Sequence, residues 1–346
     1  MIKPPLFFMV IFRTRRNCMA ATQLLDSVYY VPGDTNVGFV AFGSDSEAQG
    51  AGGTTRKSLY LIDSGMDEYD AKRIHAELKE TFPEEAGGFD VPVIINTHSH
   101  ADHSGGNAYF ARTFGSRIWI SRKEAGSLQN PDLQGIVISR GHPFPQVQCP
   151  FYLAEPSEAS RLIDDTTEVL LPNGAKISFL SLPGHYFEML GVLVTAPDGK
   201  TALFAGDAFF GRHHIGKYWI PFLFDVAQFK QSLDKLASTP ADVYLPSHGE
   251  PITYIEELTE LNKIAILSTE QSILNTLRQG ALSSEAILKA LADANEITLR
   301  VSQYTLISST VQAYLMYLYD TKRVQYKIRE NILLWSLAPD AQPDSE

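Results

Sequence analysis

The sequence predicts an α/β domain followed by a smaller helical appendage, and three observations lead to this fold class. From residue 25 to about residue 250, short β-rich runs alternate with turn residues and with segments of helical spacing. Residues 91–96 form a nearly unbroken β-branched run, which is typical of a strand buried on both faces. After Pro251 the composition becomes helical. A chain of 346 residues with 44% hydrophobic content can bury a core in both parts.

The first part, residues 21–255, is predicted to begin as a β-meander and to continue with alternating helices and strands. A Gly-, Ser- and Ala-rich stretch at 43–55 is predicted to be a flexible hairpin loop. Five prolines within residues 130–156 indicate a long irregular excursion of the kind that forms lids or binding loops. Apolar residues at helical spacing predict helices at 66–82 and 105–114. The predicted strands cover residues 27–31, 37–42, 59–62, 91–96, 168–171, 176–182, 190–195, 202–205 and 243–245.

The second part, residues 256–346, is predicted to contain three helices and a hairpin, an order that is winged-helix-like. The helices are predicted at 268–278, at 284–292 with Ser283 as cap, and at 299–319, and the hairpin at 323–337. From residue 270 to the end, seven basic residues stand against nine acidic ones. Because the basic footprint of nucleic acid binding is missing, we expect a packing or dimerisation module, with a homodimer as the expected assembly.

Residues 1–20 are predicted to be a disordered leader or the result of a mis-assigned start codon, with Met19 just before the first strand-like segment. Their apolar run at 6–12 is too short to span a bilayer, which takes about 20 residues. Most of the positive charge follows this run, whereas a secretory signal has its charge before it. A membrane tether is the alternative interpretation of these residues.

Charge and cysteine content narrow the class of protein. The net charge of -11 argues against a protein whose whole surface binds nucleic acid or anionic lipid. Two cysteines, Cys18 and Cys149, are too few for a disulfide framework and fit a reducing compartment. We therefore expect a cytoplasmic protein without a membrane span.

Four side chains able to bind a metal fall within six residues at the end of a predicted strand. They are His98, His100, Asp102 and His103. Strand alternation points His98 and His100 to one side, and the turn that follows can bring Asp102 and His103 into the same space. Imidazole and carboxylate groups suit zinc and similar divalent ions, so the sequence predicts a metal site here.

Further ligand-type residues follow three later strands. These are His185 in Pro-Gly-His, Asp207 in Gly-Asp, and His248 in Ser-His-Gly. Each short motif is common by itself. Together and in this order, over residues 28–251, they give a pattern that resembles the metallo-β-lactamase superfamily.

The resemblance implies an αββα sandwich, in which two mixed sheets lie between outer helices and the metals lie at one edge. It also implies two Zn²⁺ ions, although the same ligands accept manganese or iron. Asp63 matches an aspartate that supports the metal site in this family, and it is equally compatible with an Asx turn that closes a strand. The implied ligands are His98, His100 and His185 for one ion, and Asp102, His103 and His248 for the other, with Asp207 bridging the two.

Within the superfamily, the chain resembles the glyoxalase II-like and lactonase-like branch. Secreted zinc β-lactamases fit less well, because they usually carry Arg where His103 stands and Cys where Asp207 stands. A pair of divalent ions can acidify a shared water to give a nucleophile at neutral pH. The resemblance therefore implies a hydrolase in which a metal-bridging hydroxide attacks a small ester, thioester or lactone, with Asp102 and Asp207 as the catalytic carboxylates.

The substrate is less well defined. The Thr-Pro-Gly that follows the third histidine in the family is replaced here by residues 186–188, Tyr-Phe-Glu. The run 208–224 is rich in aromatic residues and lacks the basic glutathione-binding elements of glyoxalase II, so it forms either an apolar pocket or ordinary core. The candidate substrate contacts are Tyr186, His213 and Tyr218.

The alternative function is that of a metal-dependent nuclease or a nucleic-acid-binding protein that uses the winged-helix-like part. Its support is the helix pattern of residues 256–346. The net charge and the acid-balanced C-terminal part argue against it.

Overall fold

The structure is a computed structural model that describes residues 21–43, 55–148, 153–217 and 219–339. The predictions for residues 1–20, for most of the 43–55 loop and for Tyr218 lie outside these residues. Two sheets pack face to face, and helices cover their outer sides. The αββα sandwich that the resemblance implies is confirmed, as is a helical C-terminal region.

The first sheet has seven strands that lie side by side in chain order. The first four pair antiparallel, and the later neighbours pair parallel, so the sheet is mixed. Its strands are β1 (Thr22–Leu25), β2 (Val28–Val31), β3 (Val37–Gly43), β4 (Lys57–Ile62), β5 (Phe89–Ile95), β6 (Arg117–Ile120) and β7 (Ala159–Leu162).

The second sheet has five strands in the order β12-β11-β10-β9-β8. The pair β11 and β12 is parallel, and the other pairs are antiparallel. Its strands are β8 (Glu168–Leu170), β9 (Lys176–Ser181), β10 (Leu190–Thr195), β11 (Thr201–Phe204) and β12 (Val243–Leu245).

The ten helices of the described ranges cover the sheets and build the C-terminal region. They are α1 (Glu68–Thr81), α2 (Ala101–Ser104), α3 (Asn107–Phe114), α4 (Arg122–Gln129), α5 (Asp132–Ser139), α6 (Arg212–Lys217), α7 (Val226–Ala237), α8 (Glu256–Leu277), α9 (Ser284–Ala294) and α10 (Val301–Asp320). A hairpin of β13 (Val324–Arg329) and β14 (Ile332–Leu337) follows.

The β-branched strand β5 is buried on both faces, as its sequence predicts. Val93 and Ile95 pack into the core between the two sheets, whereas Val91 and Ile94 pack on the other face with apolar residues of α1 and α3. The end of β5 is therefore held from both sides. This fixes the backbone that continues into residues 96–104.

Two predictions need correction. The first is the irregular segment at 130–156, which contains the helix α5. Its prolines do not interrupt this helix, because Pro131 precedes the first turn of α5 and Pro143 follows its end. The first C-terminal helix, α8, begins at Glu256 and not at residue 268. Its early buried positions include polar Thr259 and Asn262, which interrupt the apolar stripe that a helix prediction needs.

The C-terminal helices pack onto the sandwich. One continuous apolar core contains buried residues of the second sheet, of α7 and of the C-terminal region, among them Leu203, Leu233, Ile273, Leu315 and Trp335. Ser283 caps α9 by accepting a hydrogen bond from the amide of Ala286, as predicted. In the described ranges, no helix has both the length and the apolar character that crossing a bilayer requires.

Candidate metal centre

The predicted ligands meet at one edge of the sandwich. The chain leaves β5 at Ile95, and residues 98–103 run through a turn into the short helix α2. From the second sheet, His185 follows β9, Asp207 follows β11 and His248 follows β12. Strand ends of both sheets thus deliver side chains to the same space.

Three imidazoles form the first group. The Nδ1 atom of His100 lies 2.9 Å from His98 Nε2 and 3.0 Å from His185 Nε2. All three side chains are buried. We call His98, His100 and His185 the three-histidine group.

Asp102, His103 and His248 form the second group. The Oδ2 atom of Asp102 lies 3.4 Å from His103 Nε2 and 3.3 Å from His248 Nε2. Asp207 lies between the two groups, with Oδ2 3.4 Å from both His185 Nε2 and His248 Nε2 and Oδ1 3.5 Å from His103 Nε2. The structure therefore brings all seven predicted ligands together, with Asp207 in the position that a bridging carboxylate needs.

Hydrogen bonds on the outer nitrogens set the direction of two imidazoles, those of His185 and His248. The Nδ1 atom of His185 lies 3.0 Å from the carbonyl oxygen of Phe222, and that of His248 lies 2.6 Å from the carbonyl oxygen of Asp34. A carbonyl only accepts, so each Nδ1 donates and each Nε2 is left with a lone pair that faces inward. This is the tautomer that a metal ligand requires.

Asp63 sets the tautomer of His103 in the same way. Its Oδ2 lies 2.8 Å from His103 Nδ1, and its two oxygens also accept hydrogen bonds from the amide and hydroxyl of Thr97 at 2.8 and 2.9 Å. Asp63 is buried and has a φ of 63°, a left-handed conformation that is uncommon for a residue other than glycine. The strained backbone at the end of β4 thus carries a carboxylate that binds Thr97 and His103, on either side of the other ligands in this loop.

Burial and charge set the protonation of the ligands. Burial, reinforced by neighbouring imidazoles, lowers the pKa of His98 and His100 well below the ordinary value and so favours their neutral forms. Burial alone would raise the pKa of Asp102, but His103 and His248 outweigh it and hold that pKa well below the ordinary value. Neutral imidazole and ionised carboxylate are the forms that bind metal. His103 differs, because burial would lower its pKa but the charges of Asp102, Asp63 and Asp207 outweigh burial and hold that pKa well above the ordinary value, so metal would have to displace a proton there.

The donor set fits divalent metal ions. Five imidazole nitrogens and two carboxylates face one another in three overlapping groups whose ligand atoms lie within 4.8 Å. His103 Nε2 and Asp207 Oδ1 are buried and make no hydrogen bond within the described part of the chain. Buried polar atoms without partners are costly, and a bound cation would satisfy both.

The predicted substrate contacts differ in their burial and in whether they touch the ligand imidazoles. Tyr186 is buried, and its ring centre lies 4.2 Å from that of His100, so it covers one imidazole. His213 is exposed on α6. His214, its neighbour, has its ring centre 6.0 Å from that of His248. The aromatic run also divides, because Phe209 and Phe210 are core residues whereas Phe222 is half-buried beside the site.

Several residues at the site had no signal in the sequence. Thr35 donates a hydrogen bond to Asp102 Oδ2 at 3.0 Å, and Phe222 supplies its carbonyl to His185. Glu124 is fully buried behind Ser99, the residue between His98 and His100. None belongs to a short motif, because their partners lie far away in the sequence.

Comparisons with known proteins place the chain in a family. A family model described as the metallo-beta-lactamase superfamily matches residues 54–248. Among curated proteins, the chain is 25% identical over 198 residues to an atrochrysone carboxyl ACP thioesterase of Aspergillus fumigatus, covering 57% of this chain and 49% of that protein. It is 28% identical over 239 residues to a hydroxyacylglutathione hydrolase of Dechloromonas aromatica, covering 68% and 67%.

Solved structures share the fold over nearly the whole chain. A beta-lactamase domain protein from Burkholderia ambifaria superposes with a TM-score of 0.68 at 16% identity, covering 94% of this chain and 96% of that one. A metallo-beta-lactamase family protein from Thermus thermophilus gives 0.65 at 19% identity, covering 90% and 98%. The chain spans only about half the length of the thioesterase it matches. With more than half of its residues matched by the family model, the chain belongs to the metallo-β-lactamase superfamily.

Proposed function

We propose that the protein is a metal-dependent hydrolase that cleaves a small ester, thioester or lactone at a dinuclear zinc centre. The observation that carries the proposal is the convergence of seven ligand residues, six of them buried and His248 partly buried, into two groups with Asp207 between them. In this proposal the three-histidine group holds one ion, and Asp102, His103 and His248 hold the other. Two ions there would supply a water acidified toward neutral pH and would polarise the carbonyl of the substrate.

The protein's own side chains set up this chemistry. Asp207 and Asp102 bring negative charge to the centre, and Thr35 and Asp63 orient Asp102 and His103 by hydrogen bonds. The outward Nδ1 donors hold His185 and His248 with their Nε2 atoms facing inward. The ligands therefore need little rearrangement when metal binds, which favours tight binding.

An apolar wall beside the imidazoles supports a substrate with an apolar acyl part. The ring centre of Phe222 lies 5.7 Å from those of both His100 and His185. Phe222 also packs against the cluster of Ile138 and Val147 of residues 132–148, as does Leu306 of α10. An acyl chain or lactone ring would bury apolar surface against this wall. Of the curated relatives, one is named a thioesterase and another a hydroxyacylglutathione hydrolase.

The test combines metal content with a substrate panel. Purified protein would be measured for bound zinc, manganese and iron, and then assayed with thioesters, esters and lactones of increasing acyl length and with single-stranded RNA. We expect about two equivalents of metal and carbonyl-substrate turnover that is lost in Asp102→Ala. Asp165→Ala, which removes an exposed aspartate outside the ligand set, is the matched control and should keep full activity.

The outcomes separate the candidate functions. Turnover that grows with acyl length, and loses this preference in Phe222→Ala, supports the proposed substrate class. RNA cleavage without turnover of any carbonyl substrate would overturn the proposal and favour a nuclease. Isolation with redox-active iron and no hydrolysis would also overturn it.

A further inference from the structure

A buried carboxylate joins the two loops that carry the three-histidine group. Glu124, in the first turn of α4, has no exposed surface. Its Oε2 accepts hydrogen bonds from the hydroxyl and the amide of Ser99 at 2.6 and 3.1 Å. Its Oε1 accepts from the amide of Glu188 at 2.9 Å. Ser99 lies between His98 and His100, and Glu188 lies three residues after His185.

The contact is reciprocal. The carboxylate of Glu188 accepts a hydrogen bond from the amide of Lys123 at 2.9 Å, at the start of α4. This amide is one of those that a helix N-terminus leaves without a partner inside the helix. Helix α4 and residues 185–188 are therefore clamped by two hydrogen bonds that run in opposite directions. The Tyr-Phe-Glu segment that replaces the family's Thr-Pro-Gly thus has a defined anchor.

Tyr186 closes the same unit. It follows His185 directly in the sequence and is buried. Its ring packs against that of His100. Two ligand loops, separated by more than eighty residues, are tied to one helix through three hydrogen bonds on one side chain. The second group has no such connection to α4 in the hydrogen bonds of the described residues.

We infer that Glu124 is a positioning residue that sets the spacing of His98, His100 and His185, and thereby the metal affinity of the three-histidine group alone. The inference rests on the proposed metal centre. An ionised carboxylate, which Glu124 carries above the pKa of about 7 that its burial produces, accepts at both oxygens, whereas the NH₂ group of a glutamine donates and does not accept. Glu124→Gln therefore keeps the shape of the side chain and cuts one of the two loop connections.

The test measures zinc binding to each group separately. Asp102→Ala leaves the three-histidine group intact, and His185→Ala leaves the second group intact. Zinc is titrated into each demetallated background in competition with a chromophoric chelator. We expect Glu124→Gln to weaken zinc binding by about 10- to 100-fold in the Asp102→Ala background, the range typical for outer hydrogen-bond partners of metal ligands. In the His185→Ala background the affinity should stay the same.

Two further variants calibrate the result. Glu77→Gln makes the same substitution at a buried glutamate of α1 that pairs with Arg73 and belongs to neither α4 nor a ligand loop, and it should leave zinc affinity unchanged in both backgrounds. Ser99→Ala removes only the hydroxyl donor and should give a smaller loss in the same direction, confined to the Asp102→Ala background.

A measurement without metal covers the case in which a double variant folds poorly. In demetallated Glu124→Gln alone, hydrogen exchange at the amide of Ser99 or Glu188 should be at least about tenfold faster. The amide of Val192 in β10 should be unaffected. Equal losses of zinc affinity in both backgrounds, or no loss and no faster exchange, would overturn the inference. Failure of every form to bind zinc would instead overturn the proposed metal centre and this inference with it.

Discussion

Asn262 of α8 holds the backbone of Phe210 at both of its polar groups. Its Oδ1 accepts from the amide of Phe210, and its Nδ2 donates to the carbonyl of the same residue, each at 3.0 Å. Phe210 follows Asp207 by three residues. A helix of the C-terminal region therefore fixes the loop that carries the residue between the two ligand groups.

We expect Asn262→Ala to weaken both stability and activity. The substitution removes both hydrogen bonds between Asn262 and the buried backbone of Phe210, which should lower the free energy of unfolding by about 2–4 kcal/mol. The loop of Asp207 would lose its hold at the same time. Chemical denaturation and kcat with the best substrate of the panel check this. Asn275→Ala, at an exposed position of the same helix, is the control. Full activity of Asn262→Ala would contradict the role of α8 in holding the loop.

Asp63→Asn should impair the second ligand group. An asparagine has one acceptor oxygen, so it cannot accept from both the Thr97 amide and His103 Nδ1. With its oxygen on the Thr97 amide, its NH₂ group faces His103 and drives His103 toward the other tautomer, with a proton on Nε2. Zinc affinity of the His185→Ala background should then fall by about 10- to 100-fold. Asp67→Asn is a fair control, because asparagine caps a helix as well as aspartate does. Unchanged zinc affinity would show that Asp63 does not set the tautomer.

The site could be predicted from the sequence where its residues are close together, and not where they are far apart. His98, His100, Asp102 and His103 form a local motif, and the three remaining ligands followed from the order of the family pattern. Asn262 and Glu124 contact residues 52 and 25 positions away. A polar residue on a helix looks the same in the sequence whether it faces solvent or a buried loop.

The same reason explains the elements that were misplaced. The polar residues at the start of α8 are buried because they bind another segment, so apolar periodicity could not reveal those turns. The sequence predicts nine of the twelve strands of the sandwich, because burial leaves β-rich runs such as that of β5, whereas it does not predict the short strands β1, β6 and β7. In both α8 and β5, contacts with distant segments decide which residues are buried. The local sequence pattern shows such contacts only where they leave a continuous apolar run.

Removal of metal should destabilise the fold. Binding to the native state alone stabilises it by mass action, and two ligand groups preformed at one edge have no counterpart in the unfolded chain. The Tm should be higher with excess zinc than with a chelator, by several degrees, and the difference should shrink in both Asp102→Ala and His100→Ala. Asp165→Ala should keep the full difference. An equal Tm with and without zinc in the wild type would count against metal binding by the native state.

Glu124 should make the stability of the demetallated protein depend on pH. Burial, which outweighs the hydrogen bonds from Ser99 and Glu188 and is reinforced by the charge of Glu188, raises the pKa of Glu124 from 4.5 to about 7. Between these values the native state keeps a proton that the unfolded chain has released, so the free energy of unfolding falls as the pH rises. The loss from this group is complete above about pH 7 and amounts to at most about 3 kcal/mol.

The comparison of the wild type with Glu124→Gln isolates this effect, because glutamine does not titrate. The difference in their free energies of unfolding, measured by denaturation in chelator from pH 4 to pH 8, should change between pH 4.5 and 7 and be flat outside that range. The wild type should lose stability relative to the variant as the pH rises. Glu77→Gln gives the control curve. A difference that is constant with pH, or that changes in the opposite direction, would mean that the pKa of Glu124 is not raised in the native state. The three donors around its carboxylate would then outweigh its burial.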